Sequence, residues 1–185
     1  MSWIHRIPGI GDLIDLGQDI AYELRRRKLD KQDEKTPILF EDEVLGTFKF
    51  WREAGSFETR RIWGNAEVAV SLNGGWGERT DYTEEVAAVA LGARIFWADQ
   101  PGWQTRIEEC IRRDLFELAQ EWTADAEETI TPDDLITRIR IDGIGFEPGG
   151  HFCVWYDGGT AFGGGHGVTV VGNLETGPEY AEMHG

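Results

Sequence analysis

The chain has 185 residues, 18 basic and 34 acidic, for a formal net charge of −16. That length implies one globular domain with an appendage, and a 41% hydrophobic content with eight tryptophans excludes disorder through most of it. The negative field opposes nucleic acid and anionic membranes as partners and favours a basic protein.

The first 35 residues carry seven basic and seven acidic side chains, so the whole −16 falls on the remainder. Pro8, Gly9, Gly11, Asp12 and Asp15 interrupt any signal-peptide run at the start. No apolar run reaches the ~18 residues that a membrane span needs. The expected location is therefore cytoplasmic, with Cys110 and Cys153 reduced in the core rather than bridged. Ile10, Leu13, Ile14, Ile20 and Leu24 recur at helical spacing, with aspartates early and arginines late, which suits the helix dipole. We read an amphipathic helix over 10–29 and a polar linker to Pro37, giving an arm over 1–36 and a single α+β domain over 37–185. The arm's expected role is packing on its own domain or self-association through residues 10–29.

From Pro37 the pattern becomes alternating. Strands are expected at 45–52, 57–63 and 67–72, an antiparallel meander ending at Asn73-Gly74-Gly75. Thr83 then opens a helix whose buried face is Val86, Val89, Ala90, Ala93, Phe96 and Trp97. Pro101 opens the next, with Trp103, Ile107, Cys110, Ile111, Leu115, Leu118 and Trp122 on one side. Thr131-Pro132-Asp133-Asp134 carries the cap, first-position proline and first-turn acids of a short helix. Strands follow at 139–146, 152–156, 167–172 and near 180–183. The fold expected is α+β: an antiparallel sheet of six to seven strands, two central helices packed on it, and the N-terminal helix.

The segment from Thr131 to Gly185 resembles a bacterial family catalogued as domain of unknown function 2262. Phe146, Gly149, Gly150, Trp155, Tyr156, Asp157, Gly158, Gly165, His166, Val168, Val170, Gly172, Leu174 and Gly185 carry the likeness. The meander from Leu45 to Leu72, with Trp63-Gly64 before its third strand, is also similar, so the resemblance covers about 38–185. Gly163-Gly164 depart from the bulky residues the family places before its Gly-His step. The family implies no activity. Some small acidic bacterial α+β proteins of similar organisation are immunity proteins that neutralise a toxin, and the analogy extends only to that organisation.

His166, at a glycine-rich turn with Asp157 across from it, is the candidate general base. No nucleophile stands beside it except Thr160, because Cys153 is expected to face the core. His151, Cys153 and His166 are candidate zinc ligands without supporting motif spacing. Gly143-Ile144-Gly145 with Gly149 imitates part of a dinucleotide fingerprint, but no helix follows it. No cofactor is expected. Adjacent acids (Glu84/Glu85, Glu108/Glu109, Glu127/Glu128, Asp133/Asp134) point about 100° apart on a helix, so they form acidic surface rather than catalytic dyads. Trp76, in a glycine-flanked loop, is either a lid over the sheet or a partner anchor.

The leading reading is a non-enzymatic binding protein, such as an immunity protein acting by surface occlusion. Its basic partner would be met by Trp76, Glu84, Glu85, Glu108, Glu109, Ile10, Leu13 and Ile14. The alternatives are a hydrolase or metal-dependent enzyme centred on His166 and Asp157, and an assembly component docking through its N-terminal helix.

Overall fold

In a computed structural model of the chain, the structure describes residues 31, 35–74, 83–124, 129–163 and 165–185. The expected helix at 10–29, with Ile10, Leu13 and Ile14, lies outside them, as does Trp76. Eight strands form one sheet: β1 (Leu39–Asp42), β2 (Gly46–Trp51), β3 (Ser56–Trp63), β4 (Ala66–Asn73), β5 (Arg140–Phe146), β6 (His151–Asp157), β7 (Gly167–Asn173) and β8 (Gly177–His184). Spatial order equals sequence order. Between β4 and β5 come helices α1 (Thr83–Ala98), α2 (Gln100–Ala124) and α3 (Pro132–Arg138).

Two features correct the expected sheet. The described residues form eight strands rather than six or seven, the unforeseen one being β1, four residues that pair with β2 from Leu39 opposite Lys49 to Asp42 opposite Gly46. The sheet is also not wholly antiparallel. The crossover through the three helices returns β5 parallel to β4, with Val70 opposite Ile144 and Leu72 opposite Phe146.

Alternation puts Phe48, Phe50, Phe57, Val68, Val70, Leu72, Ile144, Phe146, Phe152, Val154, Val168 and Val170 on one face, all buried. Helices α1 and α2 cover it with Val86, Ala90, Ala93, Phe96, Trp103, Ile107 and Ile111, none more than 3% exposed. Phe96 is the hub. Its ring stacks on Trp103 at 4.6 Å and meets Phe146 and Phe152 edge-on at 5.2 and 5.1 Å. Such pairs add about 0.5–1.5 kcal/mol each beyond burial. Helix α3 starts as its sequence predicts: Thr131 Oγ1 accepts the Asp134 amide, and Asp134 accepts the Thr131 amide in return.

The opposite face of β6 carries His151, Cys153, Trp155 and Asp157, with Phe152, Val154 and Tyr156 turned inward. Cys153 therefore does not face the core as expected, because it shares the alternation of Trp155. Trp155 sits opposite Gly143, and a Cβ on Gly145 would lie 2.5 Å from its ring. The Gly143-Ile144-Gly145 run is thus the seat of an indole. Trp122, expected on the buried side of α2, is 41% exposed at its end.

Candidate functional site

The glycine-rich corner joins β6 to β7. Asp157 Oδ1 accepts the Gly159 amide at 2.8 Å and Oδ2 accepts Arg140 Nη2 at 3.2 Å. Its carboxylate thus holds the turn and Arg140, and it does not orient His166. The Gly158 amide donates to the His166 carbonyl at 2.9 Å. At Gly159, φ is 53° and a Cβ would lie 1.9 Å from the Arg138 carbonyl oxygen, so backbone packing demands glycine there. The His166 ring lies edge-on to Trp122 at 4.7 Å, and its buried Nδ1 has no hydrogen-bond partner among the described residues. A histidine base is oriented by the hydrogen bond that its other ring nitrogen makes. Thr160 is exposed, with its amide given to Arg138.

The three zinc candidates do not meet. His151 pairs with Asn173 at one end of β6, and Gly167, beside His166, pairs with Asp157 at the other. Six residues of strand separate those ends by roughly 20 Å. Among the described residues, no group of three His, Cys, Asp or Glu side chains is placed to hold a metal. Both cysteines are free. Burial, then the charges of Glu147 and Glu182, pushes the Cys153 thiol up, and burial pushes Cys110 up to about 11. Neither is a thiolate at neutral pH. His151 instead lines a cavity of about 400 Å³ with Glu85, Phe146, Glu147 and Leu174, where the carboxyl ends of the parallel pair β4/β5 meet α1.

Among the acidic pairs, Glu108 and Glu109 divide between a held and an exposed position, and Glu127 and Glu128 lie outside the described residues. Glu108 is held: it accepts Gln104 Nε2 at 2.8 Å and Arg112 Nη2 at 3.2 Å, and Arg112 also reaches Asp133. Glu109 is exposed, as are Glu84 and Glu85 in the first turn of α1. Glu109, Glu117 and Glu121 stand in one row of α2, all exposed, and none forms an ion pair among the described residues. Arg113 lies in the same row, but its guanidinium is taken by Asp114.

Helix α2 is tied to β8 by two side-chain bonds to the strand's backbone. Arg113 Nη2 donates to the Glu179 carbonyl and Asp114 Oδ2 accepts the Ala181 amide, each at 2.8 Å. The Arg113 guanidinium, helped by the Ala181 amide, holds the Asp114 carboxyl below its ordinary range despite burial.

A second cavity, of about 770 Å³, lies between the β3–β4 hairpin and the α1–α2 corner, lined by Trp63, Asn65, Trp97, Gln100, Pro101 and Ile141 among others. Nothing in the sequence reading singled it out. The available signal was that Trp63-Gly64-Asn65 and Trp97…Pro101 each set an indole beside a chain reversal.

A family model described as an uncharacterized protein conserved in bacteria, DUF2262, matches residues 42–183. The chain belongs to the DUF2262 family. The match runs from the last residue of β1 into β8, so it takes in the whole helical layer and the glycine-rich corner. No curated protein and no solved structure matches the chain. No described helix of this DUF2262 protein is long and apolar enough to cross a membrane.

Proposed function

We propose that this DUF2262 protein is a non-catalytic binding protein that engages a basic protein partner through the outward face of α2, in the manner of an immunity protein. The observation that carries the reading is the row Glu109, Glu117 and Glu121, exposed and without ion pairs among the described residues. Glu117 and Glu121, four apart, repel by a few tenths of a kcal/mol in an isolated helix, a cost a cationic partner would remove. The row is held in place by the α2–β8 bonds, so little ordering would be needed on docking. A net charge of −16 would steer a basic partner toward it.

The test is co-expression with the product of the adjacent gene, followed by association kinetics. The expected result is protection from, or tight binding to, a basic protein, with an association rate falling about tenfold or more between 50 and 300 mM salt. A Glu109→Lys/Glu117→Lys/Glu121→Lys variant should lose most of that rate while its melting temperature holds or rises. Binding unchanged in this variant would refute the α2 face as the docking surface.

A further inference from the structure

The cavity between the β3–β4 hairpin and the α1–α2 corner has an uncharged lining, unlike the cavity at His151, which takes in Glu85 and Glu147. None of its lining residues is charged, although 28% of the chain is. Two indoles form its inner wall: Trp63, 4% exposed, meets Trp97 edge-on at 5.2 Å and Phe96 at 5.1 Å. Ile141 and Pro101 continue the apolar lining.

Its polar groups are carboxamides. Gln104 is fixed at both ends, accepting the Trp63 indole N–H and donating to Glu108. Gln100 Oε1 accepts the Gly64 amide at 3.2 Å, which leaves its NH₂ group without a bond among the described residues. The Asn65 carboxamide also makes none there. The site thus offers two indole side chains, a donor at Gln100 and a donor–acceptor pair at Asn65.

Burying an ion here would cost its hydration, and no lining residue carries an opposite charge in return. An anion would also meet the field of the whole molecule. A neutral ring system suffers neither penalty and gains offset or edge-on contact with the indoles. The volume falls within the ~300–1,000 Å³ typical of small-molecule sites.

We propose that this corner is a binding site for a small, neutral, planar molecule: an aromatic or heteroaromatic ring carrying an amide-like donor–acceptor edge. The ring would lie against Trp63 and Trp97, with its polar edge on Gln100 and Asn65. The site is separate from the α2 face, so either assignment can fail without the other.

The experiment titrates the full-length protein with nicotinamide, benzamide and adenine, and follows the indole N–H resonances by two-dimensional NMR. Nicotinate serves as the anionic isostere of nicotinamide. The expected result is saturable movement of the Trp63 and Trp97 signals with at least one neutral probe, and nicotinate weaker than nicotinamide by about tenfold or more. Gln100→Glu, which keeps an acceptor for the Gly64 amide and replaces the free donor with a carboxylate, should weaken the neutral probes by a similar factor and leave the other indole signals in place. The proposal is overturned by no saturable movement with any probe, by nicotinate binding as well as nicotinamide, or by equal affinity in Gln100→Glu.

Discussion

At the scale of single residues, the clearest balance of opposing effects is at Asp42. Its side chain is fully buried, which alone would raise its pKa, yet the amides of Leu45 and Val44 and the Arg94 guanidinium more than reverse that and hold it below the ordinary range. This one carboxylate shapes the β1–β2 turn and ties it to α1. Removing one member of a fully buried pair costs ~3–5 kcal/mol, but Arg94 is a third exposed and keeps Glu43 at 2.8 Å. We therefore expect Asp42→Ala to cost about 2 kcal/mol in denaturant unfolding at pH 7. Because the folded pKa lies below the unfolded one, this contribution is fully present above the unfolded value and is lost as pH falls through the folded one. The gap between wild type and variant should close progressively below about pH 4. A gap unchanged at pH 2.5 would mean that the ionised carboxylate is not its source. At the same scale, His166 shows how far the candidate site was legible. Glycines beside a histidine were visible in the sequence; that Gly159 packs against the Arg138 carbonyl with no room for a Cβ, and that Asp157 serves Arg140, were not. Both facts depend on Arg138 and Arg140, where α3 passes into β5, well upstream of the corner in sequence.

At the scale of elements, local signals were readable and long-range pairing was not. Thr131, Pro132 and the following acids marked α3 because a cap is satisfied within one turn. β1 escaped notice because four residues are too few to establish a period of two. The parallel joint was hidden for a different reason. A parallel strand covered on both faces is apolar throughout, but β4 is covered on one face only, so Ala69, Ser71 and Asn73 alternate with Val70 and Leu72 and imitate an antiparallel strand. β8 poses a further problem for the molecule, since an eight-residue edge strand is a template for pairing with another chain. Arg113 and Asp114 occupy two of its outward groups, the Glu179 carbonyl and the Ala181 amide. Arg113→Ala/Asp114→Ala should lower stability by about 1–2 kcal/mol, the net worth of these bonds. It should also produce concentration-dependent association in light scattering at micromolar protein. A variant that is destabilised yet monomeric at all concentrations would show that the pair anchors α2 without guarding the edge.

At the scale of the whole molecule, the charge has opposite consequences for folding and for binding. Repulsion within a −16 chain opposes compaction, and the ion pairs that offset it are mostly exposed, such as Arg60–Glu67 and Arg140–Asp157. Exposed pairs contribute ~0–1 kcal/mol each and weaken with salt, so their loss is small beside the relief of long-range repulsion. Raising sodium chloride from about 10 to 300 mM shortens the screening length from ~30 Å to under 10 Å, a change from the span of the sheet to the spacing of neighbouring side chains. The melting temperature at pH 7 should therefore rise by a few degrees across that range. Partner association through Glu109, Glu117 and Glu121 should slow over the same range, because the field that destabilises the fold is the one proposed to capture the partner. Neutralising the row should reproduce both salt effects at low ionic strength, raising the melting temperature and slowing association together. A melting temperature that falls with salt would show that short-range ion pairs outweigh the net charge. The steering argument would then lose its physical basis.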